Sequence, residues 1–323
     1  MMRLPTLACL LALTVAVGSA TAQTEPGKAD TFITLGTMGG PVPDGMRSQP
    51  ANVLVRGADA YLVDTGDGTM QQLAKAKIAL ARVKAVFLSH LHVDHTGGLA
   101  AVLGLRNQTN IRDALTVYGP PGTSELVAGI IASMQPASKA GYGILGQPWP
   151  VPAEAIRVVE LSDGQQVDLG GIKVRTARNT HYDFAPGSAE DGLYKSYSYR
   201  FDTPDRSIVY TGDTGPSAAV EKLAEGADLL VSEMIDLEST LARVAKNSPQ
   251  MPQAALKKVA QHLGSHHLTT RDIGELASRA KVKAVVVTHI AGGTEPDRLG
   301  GYKAEIGKFY SGPITIAEDL DRF

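Results

Sequence analysis

Ser89-His90-Leu91-His92-Val93-Asp94-His95-Thr96-Gly97-Gly98 places four groups able to bind a metal within six positions. An apolar segment at residues 85–88 reads as a strand and residues 99–105 read as a helix, so the cluster falls where a strand gives way to a helix. Extended residues two apart face the same side, which lets His90 and His92 grip one metal. The turn toward the helix then aims Asp94 and His95 at a second metal nearby. Gly97 and Gly98 allow a close backbone approach. Without a metal, these imidazoles and the carboxylate would be desolvated with nothing in return.

Working outward, apolar runs bounded by Gly, Pro and Asp alternate with helical patterns, the order of an α/β fold. Strands are expected near residues 32–35, 52–55, 61–63, 85–88 and 116–118, with helices at 70–77, 99–105 and 124–134. Strands recur near 157–161, 173–177, 196–201, 207–210, 229–232 and 284–288, with helices at 217–224, 252–263 and 271–280. The organisation repeats in letters too. Val83-Lys84-Ala85-Val86 leads to His90 as Val282-Lys283-Ala284-Val285 leads to His289, and Leu62-Val63-Asp64-Thr65-Gly66-Asp67 echoes Val209-Tyr210-Thr211-Gly212-Asp213-Thr214. Two pseudo-equivalent halves meeting at their strand ends would put a site in the seam. Residues 137–152, with Tyr142 and Trp149, and the mostly helical 235–266 break the pattern; they either pack on the surface or wall a substrate pocket.

The motif His90-x-His92-x-Asp94-His95 resembles the signature of the metallo-β-lactamase superfamily, and the similarity extends over essentially all of residues 31–323. The resemblance implies an αββα sandwich and a two-metal site with three further ligands, for which His181, Asp213 and His289 are the candidates, Asp213 as the bridge. Imidazole and carboxylate without thiolate suit zinc first, with manganese or iron as alternatives. Two ions sharing Asp213 would sit about 3.5–4 Å apart and hold a hydroxide as nucleophile. Asp94 would both ligate and orient that hydroxide.

Ser265-His266-His267-Leu268-Thr269-Thr270 resembles the His-Ser/Thr region of the ribonuclease Z group, and Leu230-Val231-Ser232-Glu233-Met234 lies where that group has a strand ending in His-Glu-Ala-Thr. The resemblance implies that Glu233 orients His267, which protonates the leaving group; Ser232-Glu233-Met234-Ile235 departs from the usual motif. Leu35-Gly36-Thr37 with Arg47-Ser48-Gln49-Pro50 resembles zinc-dependent arylsulfatases and related phosphodiesterases. The expected substrate is therefore a small sulfate or phosphate ester, with a β-lactam or lactone as the rival and a non-catalytic metal- or ligand-binding protein as a further alternative. Tyr142, Trp149, Tyr182 and Phe184 are candidates to line the pocket or to pack in core or surface.

Composition bears on partners. A net charge of −2 offers no basic field for a phosphate backbone, and Asp183, Glu190 and Asp191 stand between His181 and Asp213 where tRNA-processing relatives carry a basic arm, so nucleic acid is not expected as a partner. Residues 1–22 read as a signal peptide: Met1-Met2-Arg3, an apolar run over 7–17, and Ala20-Thr21-Ala22 before Gln23. A linker follows at 23–30 and a hydrolase domain at 31–323. Cleavage after Ala22 would deliver a periplasmic or secreted chain with no membrane span and, since Cys9 is the sole cysteine, no thiol. A homodimer is compatible with the resemblance.

Overall fold

The structure is a computed structural model and describes residues 30–40, 42, 45–146, 152–182 and 184–323. The expected leader, nearly all of the linker, Trp149 and Asp183 lie outside these residues.

Two sheets form the centre. In the first, β1 (Thr31–Gly36), β2 (Ala51–Arg56) and β3 (Asp59–Thr65) pair antiparallel, and β3, β4 (Val83–Phe87), β5 (Leu115–Gly119) and β6 (Ile156–Glu160) pair parallel. In the second, β7 (Gln166–Asp168), β8 (Lys173–Arg178), β9 (Tyr197–Asp202) and β10 (Ser207–Tyr210) pair antiparallel, and β10, β11 (Leu229–Ile235), β12 (Val285–Ala291) and β13 (Ile314–Ile316) pair parallel.

Strand alternation explains the layering. On β3, Tyr61 and Val63 face the second sheet, while Ala60 and Leu62 face the outer helices. Ala85 and Phe87 on β4 and Val231 on β11 join the inner layer; Val86, Leu230, Val285 and Val287 face outward. Both faces are buried, so these strands read as continuous apolar runs.

The helices α1 (Thr69–Lys75), α2 (Val93–Thr96), α3 (Leu99–Gln108) and α4 (Thr123–Ala140) belong to the first half, and α1, α3 and α4 cover its sheet through Leu73, Leu99, Val102, Leu103 and Val127. In the second half come α5 (Ala189–Leu193), α6 (Ala218–Ala224), α7 (Leu237–Asn247), α8 (Gln253–His266), α9 (Thr270–Arg279) and α10 (Pro296–Ile306). Of these, α6, α9 and α10 cover the second sheet through Val220, Leu223, Ile273, Leu276, Tyr302 and Ile306. The result is the expected αββα sandwich of the metallo-β-lactamase fold.

The halves correspond strand for strand: three antiparallel strands then three parallel ones, β1 to β6 against β8 to β13, with β7 added at an edge. The echo of residues 62–67 in 209–214 follows this correspondence, since both span the carboxyl end of the last antiparallel strand, β3 or β10. The echo of 83–90 in 282–289 does not. By position in the sheet the counterpart of β4 is β11, and that of β12 is β5; the shared apolar run ending on histidine reflects two buried parallel strands reaching one site. The α10 helix contains Gly300-Gly301 and has weak intrinsic preference, so it escapes a reading by pattern. It forms because Pro296 suits its first turn and Tyr302 and Ile306 dock on the core. The α4 helix runs past the expected end at Met134, through Pro136, to Ala140.

Asp64 closes the seam. It is fully buried at the end of β3, and its carboxylate accepts hydrogen bonds from the Ser89 amide (2.7 Å), Ser89 Oγ (2.7 Å), His95 Nδ1 (2.8 Å) and Tyr210 OH (2.8 Å). Tyr210 lies on the opposite sheet. Removing the carboxylate strands several buried donors at about 1–3 kcal/mol each before relaxation. Asp64→Ala should therefore lower the unfolding free energy by about 4 kcal/mol in a denaturant titration; a loss below about 1 kcal/mol would show that the two halves do not depend on this joint.

Candidate metal centre

The parallel strands of both sheets deliver their carboxyl ends to one place. β4 leads into Ser89 and His90, α2 carries Asp94 and His95, β10 leads into Asp213, β11 carries Glu233 and β12 carries His289. His181 follows β8, and His267 follows α8. All seven side chains expected as metal ligands meet there.

They form two groups. In the first, His90 Nε2 lies 2.9 Å and His181 Nε2 3.2 Å from His92 Nδ1. Ligand atoms around a tetrahedral zinc with bonds of about 2.0–2.1 Å stand about 3.3 Å apart, so this spacing suits three donors on one ion. Their protonation fits as well. Ser89 Oγ gives its proton to Asp64 and so must accept from His90 Nδ1 (3.0 Å), leaving the His90 Nε2 lone pair free for the site. The His266 carbonyl accepts from His181 Nδ1 (3.3 Å), with the same result at His181. Burial, the largest influence, and neighbouring imidazoles hold His90 well below the ordinary histidine range; burial likewise lowers His181 and His92. Three neutral imidazoles are what a cation there requires.

In the second group, Asp213 Oδ1 lies 3.3 Å from His95 Nε2 and 3.2 Å from His289 Nε2, and Asp94 Oδ2 lies 3.7 and 4.0 Å from the same two nitrogens. Despite this proximity, His95 Nε2, Asp213 Oδ1 and His289 Nε2 are buried without a hydrogen-bond partner. They converge on a shared centre and not on one another, which leaves a desolvation cost that only a cation there would offset. His95 is oriented from behind by Asp64 through Nδ1, the support a metal-binding imidazole commonly has. Subsets of these seven residues form groups whose ligand atoms lie within 4.8 Å of one another, so the donor set fits divalent cations.

The backbone is bent to make this possible. His289 has φ 43° and Asp64 φ 58°, left-handed values uncommon outside glycine. Each sits at a register shift: Ser232 and Met234 pair with Val287 and Ile290, and Ala51 and Asn52 pair with Thr65 and Val63. The bulges turn both side chains out of the strand alternation and toward the seam. Close packing completes the turn, since a Cβ on Gly98 would stand 2.4 Å from the Gly66 carbonyl oxygen and one on Gly66 2.3 Å from that of Asp94.

Beside the metal groups lies the expected acid pair. Glu233 Oε2 accepts from His267 Nδ1 (2.7 Å), and Oε1 accepts from the Thr214 amide (2.5 Å). Burial works to lower the His267 pKa, but the Glu233 charge and hydrogen bond outweigh it and raise it to about 9. The His267 ring lies 5.0 Å from His181 and 6.1 Å, stacked, from His289. The pair thus favours a proton on His267, with Nδ1 engaged by Glu233.

Sequence reasoning passed over the supporting residues Ser89, Asp64 and Tyr210, the His266 carbonyl, and His262, whose half-buried ring lies 5.6 Å from His181. His262 and His266 sit one helical turn apart on α8, so the carboxyl end of segment 235–266 borders the site. Tyr142 is 62% exposed and bonds the Gln108 carbonyl, a surface role. Arg47 and Ser48 serve the fold, through Thr37, the Ala317 carbonyl and Asp319.

Residues 60–290 match the family described as beta-lactamase superfamily domain. The chain is 32% identical over 292 residues to ribonuclease Z of Mycobacterium sp. (strain KMS), covering 90% of this chain and 94% of that one, and 31% identical to ribonuclease Z of Mycobacterium bovis (strain BCG / Pasteur 1173P2), covering 90% and 96%. Among solved structures it resembles the metallo-beta-lactamase fold protein YhfI from Bacillus subtilis, with TM-score 0.63, 18% identity and 91% and 98% coverage. It also resembles the short form of human tRNase Z, with TM-score 0.60, 22% identity and the same coverage.

These relatives correct two expectations. Their name is that of a ribonuclease, which overturns a small sulfate or phosphate ester, or a β-lactam or lactone, as the expected substrate, and overturns the exclusion of nucleic acid as a partner. The physical error lay in the use of charge. Net charge is a sum over the whole surface, whereas the charge that meets a phosphate here would be that of the bound cations. Asp191, counted as hostile to RNA, spends its carboxylate on Arg178, Lys195 (3.2 Å) and the Gly187 amide (3.0 Å). With the family matched across residues 60–290 and relatives aligned over nine-tenths of its length, the chain belongs to the beta-lactamase superfamily, as a metal-dependent hydrolase homologous to these ribonuclease Z proteins.

Proposed function

We propose that the chain hydrolyses phosphodiester bonds in RNA, with two divalent cations, zinc first, held by His90, His92 and His181 on one side and by Asp94, His95 and His289 on the other, Asp213 between them. Bound there, the cations would supply Lewis-acid activation of water and neutralise charge on the phosphate. The observation that carries the reading is the buried Glu233–His267 pair, since a ribose alkoxide is a poor leaving group and needs a proton, whereas a strained lactam needs less help.

The chain's own contribution is positional. Asp94 presents a carboxylate at the second group, where it can orient the attacking water toward phosphorus. As the P–O bond to the leaving ribose breaks, His267 passes the proton on Nε2 to that oxygen, and Glu233 holds the imidazole by Nδ1 throughout. The Thr214 amide keeps Glu233 from turning away. The name borne by relatives of nearly equal length supports RNA as the polymer. The apolar run over 7–17 and Ala20-Thr21-Ala22 support export, so that the mature chain would act outside the cytoplasm.

Three outcomes are expected. Metal-loaded protein should cleave a labelled RNA and lose that activity with chelator, and His92→Ala should lose metal by elemental analysis together with all turnover; full activity and full metal content in His92→Ala would refute the ligand assignment. His267→Ala should retain metal yet cut kcat on RNA by about 10²–10⁴-fold, and should lose far less on a phosphodiester with a p-nitrophenolate leaving group, which departs unprotonated. Equal losses on both would remove His267 from proton transfer. In a bacterial host the recovered protein should begin at Gln23; an intact Met1 terminus would end the export reading.

A further inference from the structure

A line of aromatic rings leaves the metal centre and reaches the surface. Tyr182 lies 5.1 Å from the His181 ring and 5.5 Å from that of His92; Phe184 lies 5.6 Å from Tyr182, and Tyr194 5.7 Å from Phe184. The line ends in the open, with Tyr194 half exposed.

Tyr194 is also one wall of a groove of about 510 Å³ whose other walls include Leu91, Gly122, Leu126, Ile130 and Ser133. Leu91 is the chain neighbour of His90 and His92, and Tyr194 is joined to the His92 ring through Phe184 and Tyr182, so two residues of the lining adjoin ligands of the metal centre. Gly122 makes room for the Leu91 side chain, because a Cβ there would stand 2.9 Å from Leu91 Cδ1. Glu125 is the charged residue of the lining, and among the described residues no Lys or Arg lines it. A phosphate would find no cationic partner among the described residues of such a groove. A flat, apolar, neutral group attached to the substrate would suit it.

We propose that the Tyr182–Phe184–Tyr194 line and the adjoining groove form a subsite for the unpaired nucleobase next to the scissile phosphate. The proposal rests on the ribonuclease reading above. A base entering the groove lays one face on Tyr194, while Leu126 and Ile130 exclude water from its edge, and its phosphate is thereby placed at the histidines flanking Leu91. Every base has such a face, so the subsite selects unpaired RNA over duplex and reads little sequence.

The test uses the full metal-loaded chain and an unstructured RNA, with kcat and KM measured separately. Tyr194→Ala should raise KM about 10-fold with kcat within about twofold, at an unchanged melting temperature because the ring is half exposed. Tyr194→Phe should restore KM, since the face and not the hydroxyl is used. An RNA carrying abasic ribose beside the cleaved bond should show the same raised KM with the parent protein and no further rise with Tyr194→Ala. If the parent cleaves RNA but Tyr194→Ala leaves KM unchanged, or if its loss persists in full on the abasic RNA, the base subsite is wrong and the ribonuclease reading stands. A parent that cleaves no RNA removes both.

Discussion

One carboxylate ties the fold to the chemistry. Asp64 receives Tyr210 from the opposite sheet, so it joins the two halves, and it receives Ser89 and His95 from its own, so it sets the protons of the site. Ser89, having donated to Asp64, can only accept from His90, and His95, having donated through Nδ1, faces the centre with Nε2. One fixed anion thereby selects the metal-binding tautomer at one member of each metal group. Buried hydrogen bonds to a charged group are among the stronger ones available, and this set is sheltered from water.

The same region concentrates backbone strain. Asp64 and His289 take left-handed φ values at bulges in different sheets, and both point into the seam. A regular strand would send His289 to one face of β12 by alternation; the extra residue on β12 opposite Glu233 lets His289 and Glu233 share the site from neighbouring strands. Such conformations cost of order 1–3 kcal/mol each. They persist because the surrounding core is rigid, with Leu230, Met234, Val287 and Ile290 packed against α9 and α10.

Legibility followed the range of the interaction. The cluster from His90 to His95 is local, and its spacing alone conveyed a strand end carrying several candidate metal ligands. Buried strands were legible because both faces are apolar, and their positions held to within a few residues. Asp64 was visible only as part of a letter echo, since nothing in its neighbours announces a partner 146 positions away in Tyr210. The His266 carbonyl was invisible in principle: any residue supplies a carbonyl, and its use depends on how α8 ends. The histidine echo between β4 and β12 was real as a pattern but misleading as topology, because convergence on one site imposes the same run on strands that are not counterparts.

Substrate class was the least legible level, and the reason is electrostatic. Composition argues about long-range fields, which ions screen within about 8–10 Å, whereas recognition in this site works at contact distance. Neutral His90, His92 and His181 leave the positive charge of a bound cation undiminished on one side, and Asp94 and Asp213 partly balance it on the other. On the proposed reading a phosphodiester would bring one negative charge to bound cations there, and His267, whose pKa the Glu233 carboxylate raises, would stand beside it as a proton donor. A chain with a net charge of −2 could thus present a locally cationic centre once its donor set is filled by divalent cations.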